Sequence, residues 1–306
     1  MLDLGCGSGR DVYIAAALVG ESGSVVGVDM TEQQLETATT HAHAYATATL
    51  GYAKSNMTFL KGYIEDLGAL GLAPASIDLA ISNCVVNLSA DKHAVLASLF
   101  TILSPGGEFH FSDVFSDVDL PEDVRTHKVL VGECLGGAVT EAFFADAAMR
   151  AGFAPPLQVT KREIEVHDPE LKALLGAARF YSVTYRLFKL KPPSSTPGHP
   201  KPSEGAVVRY MGGYEGQEEE YTLAEGLVFP KGKFKGTWKG MRSGDVAAIL
   251  HRTWLSKYFE VFADSLFDPE RPQPEGPVGL PPLKGERPSE KAPCKAEEGA
   301  GKKCCG

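Results

Sequence analysis

The run Met1-Leu-Asp-Leu-Gly-Cys-Gly-Ser-Gly-Arg-Asp11 decides the fold. It reads as the end of a buried strand, a glycine turn and a helix start. Gly5, Gly7 and Gly9 fall at every second position, where a backbone must turn sharply and approach a ligand closely. A helix N-terminus behind such a turn aims free N–H groups at whatever sits above it. Working outward, Ser24-Val-Val-Gly-Val-Asp29 reads as a second strand closed by an acid. An acid about 20 residues past the glycine turn is placed to accept hydrogen bonds from ribose hydroxyls. The two runs together predict a nucleoside-type cofactor site.

The glycine spacing separates one cofactor class from another. Dinucleotide folds use G-x-G-x-x-G. Here the run is Gly5-Cys6-Gly7-Ser8-Gly9, with Asp3 just before it. It resembles motif I of the class I S-adenosylmethionine methyltransferases. That resemblance implies that Asp3 and the Gly5–Gly9 loop underlie the methionine part of the cofactor. It implies that Asp29, with Met30 beside it, holds the ribose. It puts Glu65, with neighbouring Ile64 in Gly62-Tyr-Ile-Glu-Asp66, against adenine. The alternatives are a glycine turn of some other α/β enzyme and, for Glu65, a surface acid in a loop.

The remaining pattern predicts a Rossmann-like, doubly wound, mostly parallel sheet. Asp11 to Val19 reads as a helix stopped by Gly20. Thr31 and Gln34 have capping-box spacing ahead of Leu35, Ala38 and Ala42. Strands are predicted at Met57 to Gly62, Ile77 to Ser82 and Glu108 to Val114. A helix over Asp91 to Leu103 is ended by Ser104-Pro-Gly-Gly107. The strand–helix alternation predicts the parallel sheet. Thr140 to Ala151 is a further helix, and Leu157 to Val166 and Phe180 to Leu190 are closing strands.

Four segments are expected. Residues 1–190 form the methyltransferase domain, 191–204 a Pro-rich linker, 205–267 a small α+β domain, and 268–306 a disordered tail carrying cysteines. In the small domain Val207-Val-Arg-Tyr210, Tyr221-Thr-Leu and Leu227-Val-Phe read as strands, and Val246 to Phe259 as a helix. Lys231, Lys233 and Lys235 alternate as a solvated strand face would.

Composition sets the limits. With 306 residues and 43% hydrophobic content the chain can bury a sizeable core. A net charge of −9 argues against a nucleic-acid partner, and no apolar run is long enough to cross a membrane. The six cysteines, Cys6, Cys84, Cys134, Cys294, Cys304 and Cys305, lack the density of a secreted disulfide scaffold. A reducing, cytoplasmic setting and a monomer are expected.

Two further stretches carry the chemistry. Asn83, Cys84, Val85 and Asn87 lie in Ser82-Asn-Cys-Val-Val-Asn-Leu88, at the carboxyl end of the fourth strand, where open α/β sheets bind ligands. Leu120-Pro-Glu-Asp123 starts a helix read as running into Gly132-Glu-Cys-Leu-Gly-Gly-Ala138, with Cys134 near its end. A lone cysteine there is ordinarily a small core residue.

Taken with Gly27-Val-Asp-Met-Thr31, Phe111-Ser-Asp-Val114, Arg125-Thr-His-Lys-Val129 and the run from Arg179 to Lys189, these stretches resemble the arsenite methyltransferases over Asp3 to Lys189. The resemblance implies transfer of methyl from S-adenosylmethionine to thiol-bound trivalent arsenic. It implies an arsenic-binding region over about 115–180, with thioredoxin or glutathione as thiol reductant. Trivalent arsenic is soft and binds thiolates. The family pattern implies three thiol ligands. Cys134 fills one role as arsenic ligand and catalytic residue, and Cys84, near the pocket, is expected to assist. Ala178, before Arg179-Phe180, stands where a cysteine is expected, and the remaining cysteine is expected ahead of Met1. A site with fewer thiols is expected to favour already methylated arsenic. Two other readings stay open: a class I methyltransferase acting on a small organic nucleophile, and a weakly catalytic metalloid-binding protein.

Overall fold

The computed structural model describes residues 1–192, 205–238 and 241–262. Most of the expected linker, the tail and Cys294, Cys304 and Cys305 lie outside them. The buried strand β1 (Leu2–Leu4) runs straight into the glycine turn, and α1 (Arg10–Val19) follows. β2 (Val25–Asp29), α2 (Glu32–Ala44) and β3 (Met57–Lys61) complete the first half. β4 (Ile77–Asn83), α3 (Lys92–Ile102) and β5 (Leu103–Ser116) open the second. Then come α4 (Glu122–Arg125), α5 (Lys128–Gly132), the short β6 (Val139–Thr140) and α6 (Glu141–Ala151). β7 (Leu157–Ile164), α7 (Pro169–Leu175) and β8 (Phe180–Phe188) close this part.

These strands form one sheet in the order β3-β2-β1-β4-β5-β8-β7, with β6 beside β5. β1 to β5 pair in parallel, while β8 runs antiparallel to β5 and β7 antiparallel to β8. The expected mostly parallel, doubly wound sheet is therefore present. Chain order reverses at β1, which pairs with both β2 and β4. Strands diverge into helices on opposite faces at such a switch point, and a crevice opens at their carboxyl ends. On one face an aromatic core joins β5 to α6 and β8. Phe109 stacks on Phe111 at 4.6 Å, and Phe111 meets Phe144 at 5.1 Å. On the other, Val12, Ala16 and Leu35 of α1 and α2 pack with Val25 and Met57.

Several local expectations are corrected. The helix read from Pro121 into the Gly132–Ala138 run is two short helices, broken at Thr126–His127. Cys134 lies beyond the second one, at φ +62°. Thr31 caps α2 by position only. Its side chain makes no cap bond, and the Thr31 N–H that Gln34 would have taken goes to the Asp29 carboxylate, at 2.8 Å. β5 begins at Leu103 and runs through the Ser104–Gly107 stretch.

The chain beyond residue 205 adds β9 (Val207–Tyr210), β10 (Glu220–Ala224), β11 (Leu227–Pro230), β12 (Phe234–Lys235), α8 (Ser243–Arg252) and β13 (Phe259–Phe262). The helix read over Val246 to Phe259 thus ends at Arg252, and β13 follows one 3₁₀ turn. Lys231 pairs with Glu219, and Lys235 donates to the Val228 carbonyl, so these lysines are not a uniformly solvated face. Val208, Tyr210, Leu250 and Phe259 share a core with Leu157 and Phe188 of the main sheet and with Ala154 in the loop before β7. A buried ion pair reinforces that join. Arg186 grips Glu108 through two bonds of 2.6 and 2.9 Å and donates to the Leu223 carbonyl, while Trp254 Nε1 donates to Glu108.

Candidate active site

A cavity of about 170 Å³ opens at the switch point. Each parallel strand contributes the residues just past its carboxyl end. Gly5 follows β1, and Asp29, Met30 and Thr31 follow β2. Gly62 to Glu65 follow β3, and Val85, Leu88 and Ser89 follow β4. The glycine at position 5 is required twice over. It sits at φ +71°, and a Cβ there would lie 2.4 Å from a Val85 methyl. Asp29 fastens the loop above it: one oxygen accepts the Gly7 N–H at 2.9 Å, the other that of Thr31. Glu65 accepts a 2.5 Å bond from Ser89 Oγ, which ties the β3 side of the cavity to the β4 side. Met30, Tyr63 and Leu88 are 64%, 68% and 50% exposed around it. A flat apolar-edged group with hydroxyls fits such a lining.

Of the residues expected to bind cofactor, Gly5, Asp29, Met30, Ile64, Glu65 and Val85 meet in this cavity. Asp3, Cys6, Gly7, Ser8, Gly9, Asn83 and Cys84 are not in its lining. Asp3 is buried beneath the loop, and burial, with Asp11 and Asp29 nearby, pushes its carboxyl up to about 7. Cys6 turns its thiol inward against Gly27, and burial pushes it up to about 12. Asn83 lies exposed at the end of β4. Asn87 points away from solvent, its Nδ2 donating to the Val114 carbonyl at 2.5 Å. Thr31, Tyr63, Leu88 and Ser89 line the cavity without having been singled out. Their only sequence signal is position just past a predicted strand end.

A second constellation lies past the same strand. Cys134 Sγ–H donates to the Cys84 carbonyl at 3.1 Å, which sets the two thiols side by side. The neighbouring Cys134 side chain holds the Cys84 thiol below its ordinary range. The Cys134 thiol is pushed well up, first by the Cys84 side chain and then by burial. Cys84 is thus the more acidic of the two. Both residues sit in the left-handed region, at φ 54° and 62°. Ala178 lines a cleft of about 400 Å³ with His167, Lys172 and Arg179 and packs against the same apolar cluster as Cys134. Cys84, expected only to assist, is therefore the thiol that meets Cys134, although 50 positions separate them in the chain. Two free thiols side by side are the kind of donor set that a soft metalloid takes.

A methyltransferase-domain family model matches residues 1–168. The chain is 40% identical to the arsenite methyltransferase of Mus musculus, over all of this chain and 79% of that protein. It is 47% identical to the arsenite methyltransferase of Aquipseudomonas alcaligenes, over 86% of this chain and 73% of that one. Its fold matches the crystal structure of an arsenic(III) S-adenosylmethionine methyltransferase from Chlamydomonas reinhardtii. The TM-score is 0.76 at 47% identity, over 87% of this chain and 88% of the other.

Proposed function

The chain belongs to the arsenite methyltransferases, and from that premise we propose that it methylates trivalent arsenic held by the Cys84–Cys134 pair. The observation that carries this reading is the meeting of two free thiols beside the switch-point cavity, Cys134 Sγ bonded to the Cys84 carbonyl. S-Adenosylmethionine, when bound, supplies an electrophilic methyl on a sulfonium. The residues of the cavity would hold it: Asp29 and Glu65 as acceptors for its hydroxyls and amine, Gly5 and Val85 as the close wall, and Met30, Tyr63 and Leu88 as apolar cover. Cys84 and Cys134 exchange their protons for arsenic and so fix its lone pair in one direction. Positioning of this kind removes much of the entropic barrier of a bimolecular transfer. No residue is needed as general base, since the nucleophile carries no proton.

Transfer of a methyl cation to arsenic(III) leaves arsenic formally pentavalent. A dithiol must then return two electrons and become a disulfide, and we assign that role to thioredoxin or glutathione. The described cysteines are free thiols, which supports a cytoplasmic setting, and no helix among the described residues is long and apolar enough to cross a membrane.

Two sulfurs satisfy a monomethylated arsenic(III), whereas inorganic arsenic takes a third. Transfer from labelled S-adenosylmethionine, measured with arsenite and methylarsenite in excess thiol, is expected to run faster on methylarsenite. Cys84→Ser and Cys134→Ser should each weaken arsenical binding by about a hundredfold or more, since chelation is lost, and leave cofactor affinity unchanged. Full activity in Cys134→Ser would point to an organic nucleophile instead. A folded chain that binds no cofactor would point to a metalloid-binding protein.

A further inference from the structure

Between the cavity and the thiol pair lies a turn that neither site explains. It runs from Cys84 to Leu88 as one 3₁₀ turn over Val86–Leu88. Its first residue carries a thiol, and Val85 and Leu88 form cavity wall. The peptide at its centre, Asn87, is held from three directions. From β5, the Asp113 carboxylate accepts its N–H at 3.0 Å. From α3, Lys92 Nζ reaches its carbonyl at 3.4 Å and that of Ser89 at 3.1 Å. From the loop after Cys134, the backbone of Gly137 presses so close that a Cβ there would lie 1.9 Å from the Asn87 oxygen.

Asp113 is 1% exposed, and its partners are backbone donors: Val86, Asn87 and, at 2.8 Å, Val114. A buried carboxylate costs desolvation free energy unless its lone pairs are filled. Here they are filled by the amides that define the turn, through charge-assisted bonds of the stronger kind.

We propose that Asp113 is a positioning residue that locks the Cys84–Leu88 turn, so that one buried carboxylate sets both the Cys84 thiol against Cys134 and the Val85–Leu88 wall against the cofactor. This rests on the reading of Cys84 and Cys134 as the arsenic ligands. It goes further in making the two sites share a support, so that loosening the turn weakens both together.

The test is Asp113→Asn, which replaces one accepting oxygen with a donor facing backbone N–H groups. Dissociation constants for S-adenosylhomocysteine and for a monoaryl arsenical(III) are measured well below the unfolding temperature. Loss of a charge-assisted bond of this kind is expected to raise each of them about tenfold. A merely structural role would lower the melting temperature and leave both constants of the folded protein unmoved. Values within twofold of the parent for either ligand would overturn the proposal. Should the variant not fold, amide exchange in the parent chain decides. Val86 and Asn87 amides protected without ligand support the lock, and exchange at the rate of an open loop overturns it. Cys84→Ser separates the premise from the inference. If it leaves arsenical affinity intact, the thiol reading falls, while the cofactor arm of Asp113→Asn still tests the lock.

Discussion

Asp3 shows how a single side chain can hold conflicting demands. It sits under the glycine loop with its carboxyl pushed up to about 7, first by burial and then by Asp11 and Asp29. An acid whose folded-state value lies above its unfolded one binds its proton more tightly when folded. Its contribution is therefore most favourable below about pH 4 and is lost as pH rises toward 7. Asp3→Asn removes that loss. The stability of the variant relative to the parent should climb by about 2–4 kcal/mol between pH 4 and pH 8, read from urea unfolding at each pH. A difference that stays flat with pH would show that Asp3 is solvated after all. The thiols shift in opposite directions where they meet, Cys84 held down and Cys134 pushed up.

Among the elements, short runs without side chains decide what can meet. Gly137 lets the Cys134 loop lie against the Cys84 turn. Gly137→Ala drives a methyl into the Asn87 carbonyl, and overpacking against backbone of this kind costs about 1–3 kcal/mol. The Asn87 turn must yield, so arsenical and cofactor affinities should both fall when the two are titrated. Unchanged affinities would show that the loops give way without moving the turn. This contact also explains what was legible. β1 to β5, their parallel order and the cavity residues Gly5 and Asp29 follow from apolar runs and glycine spacing, which are local signals, and Val85 from its place past a strand end, whereas Ile64 and Glu65 come from the family resemblance. The meeting of Cys84 with Cys134 is not local. It depends on β4 and β5 lying side by side and on α5 stopping at Gly132, and no period in the chain reports either. Likewise Asn87 looks like a site residue by position, yet its amide is spent on Val114.

At the scale of the molecule, the sheet and the strands beyond residue 205 share one core, and Arg186 pins it. Its guanidinium bonds Glu108 twice, and Trp254 and Leu223 complete the network from the other side. Arg186→Ala leaves a buried carboxylate without its partner, which costs about 3–5 kcal/mol. The double change Glu108→Leu with Arg186→Met removes both charges and should recover most of that loss in chemical denaturation. If the single variant unfolds at the parent's denaturant midpoint, the pair is not what joins these parts.

Cys84 and Cys134 adopt backbone angles that suit glycine, at φ 54° and 62°. Placing a β-carbon there costs on the order of 1 kcal/mol at each position. Glycine would relieve both and abolish the chelate. On the proposed reading of these thiols, the chelate is held at a backbone cost. A glycine at Cys84, the exposed one of the two, would exchange metalloid binding for backbone ease, whereas at Cys134 it would also give up core packing.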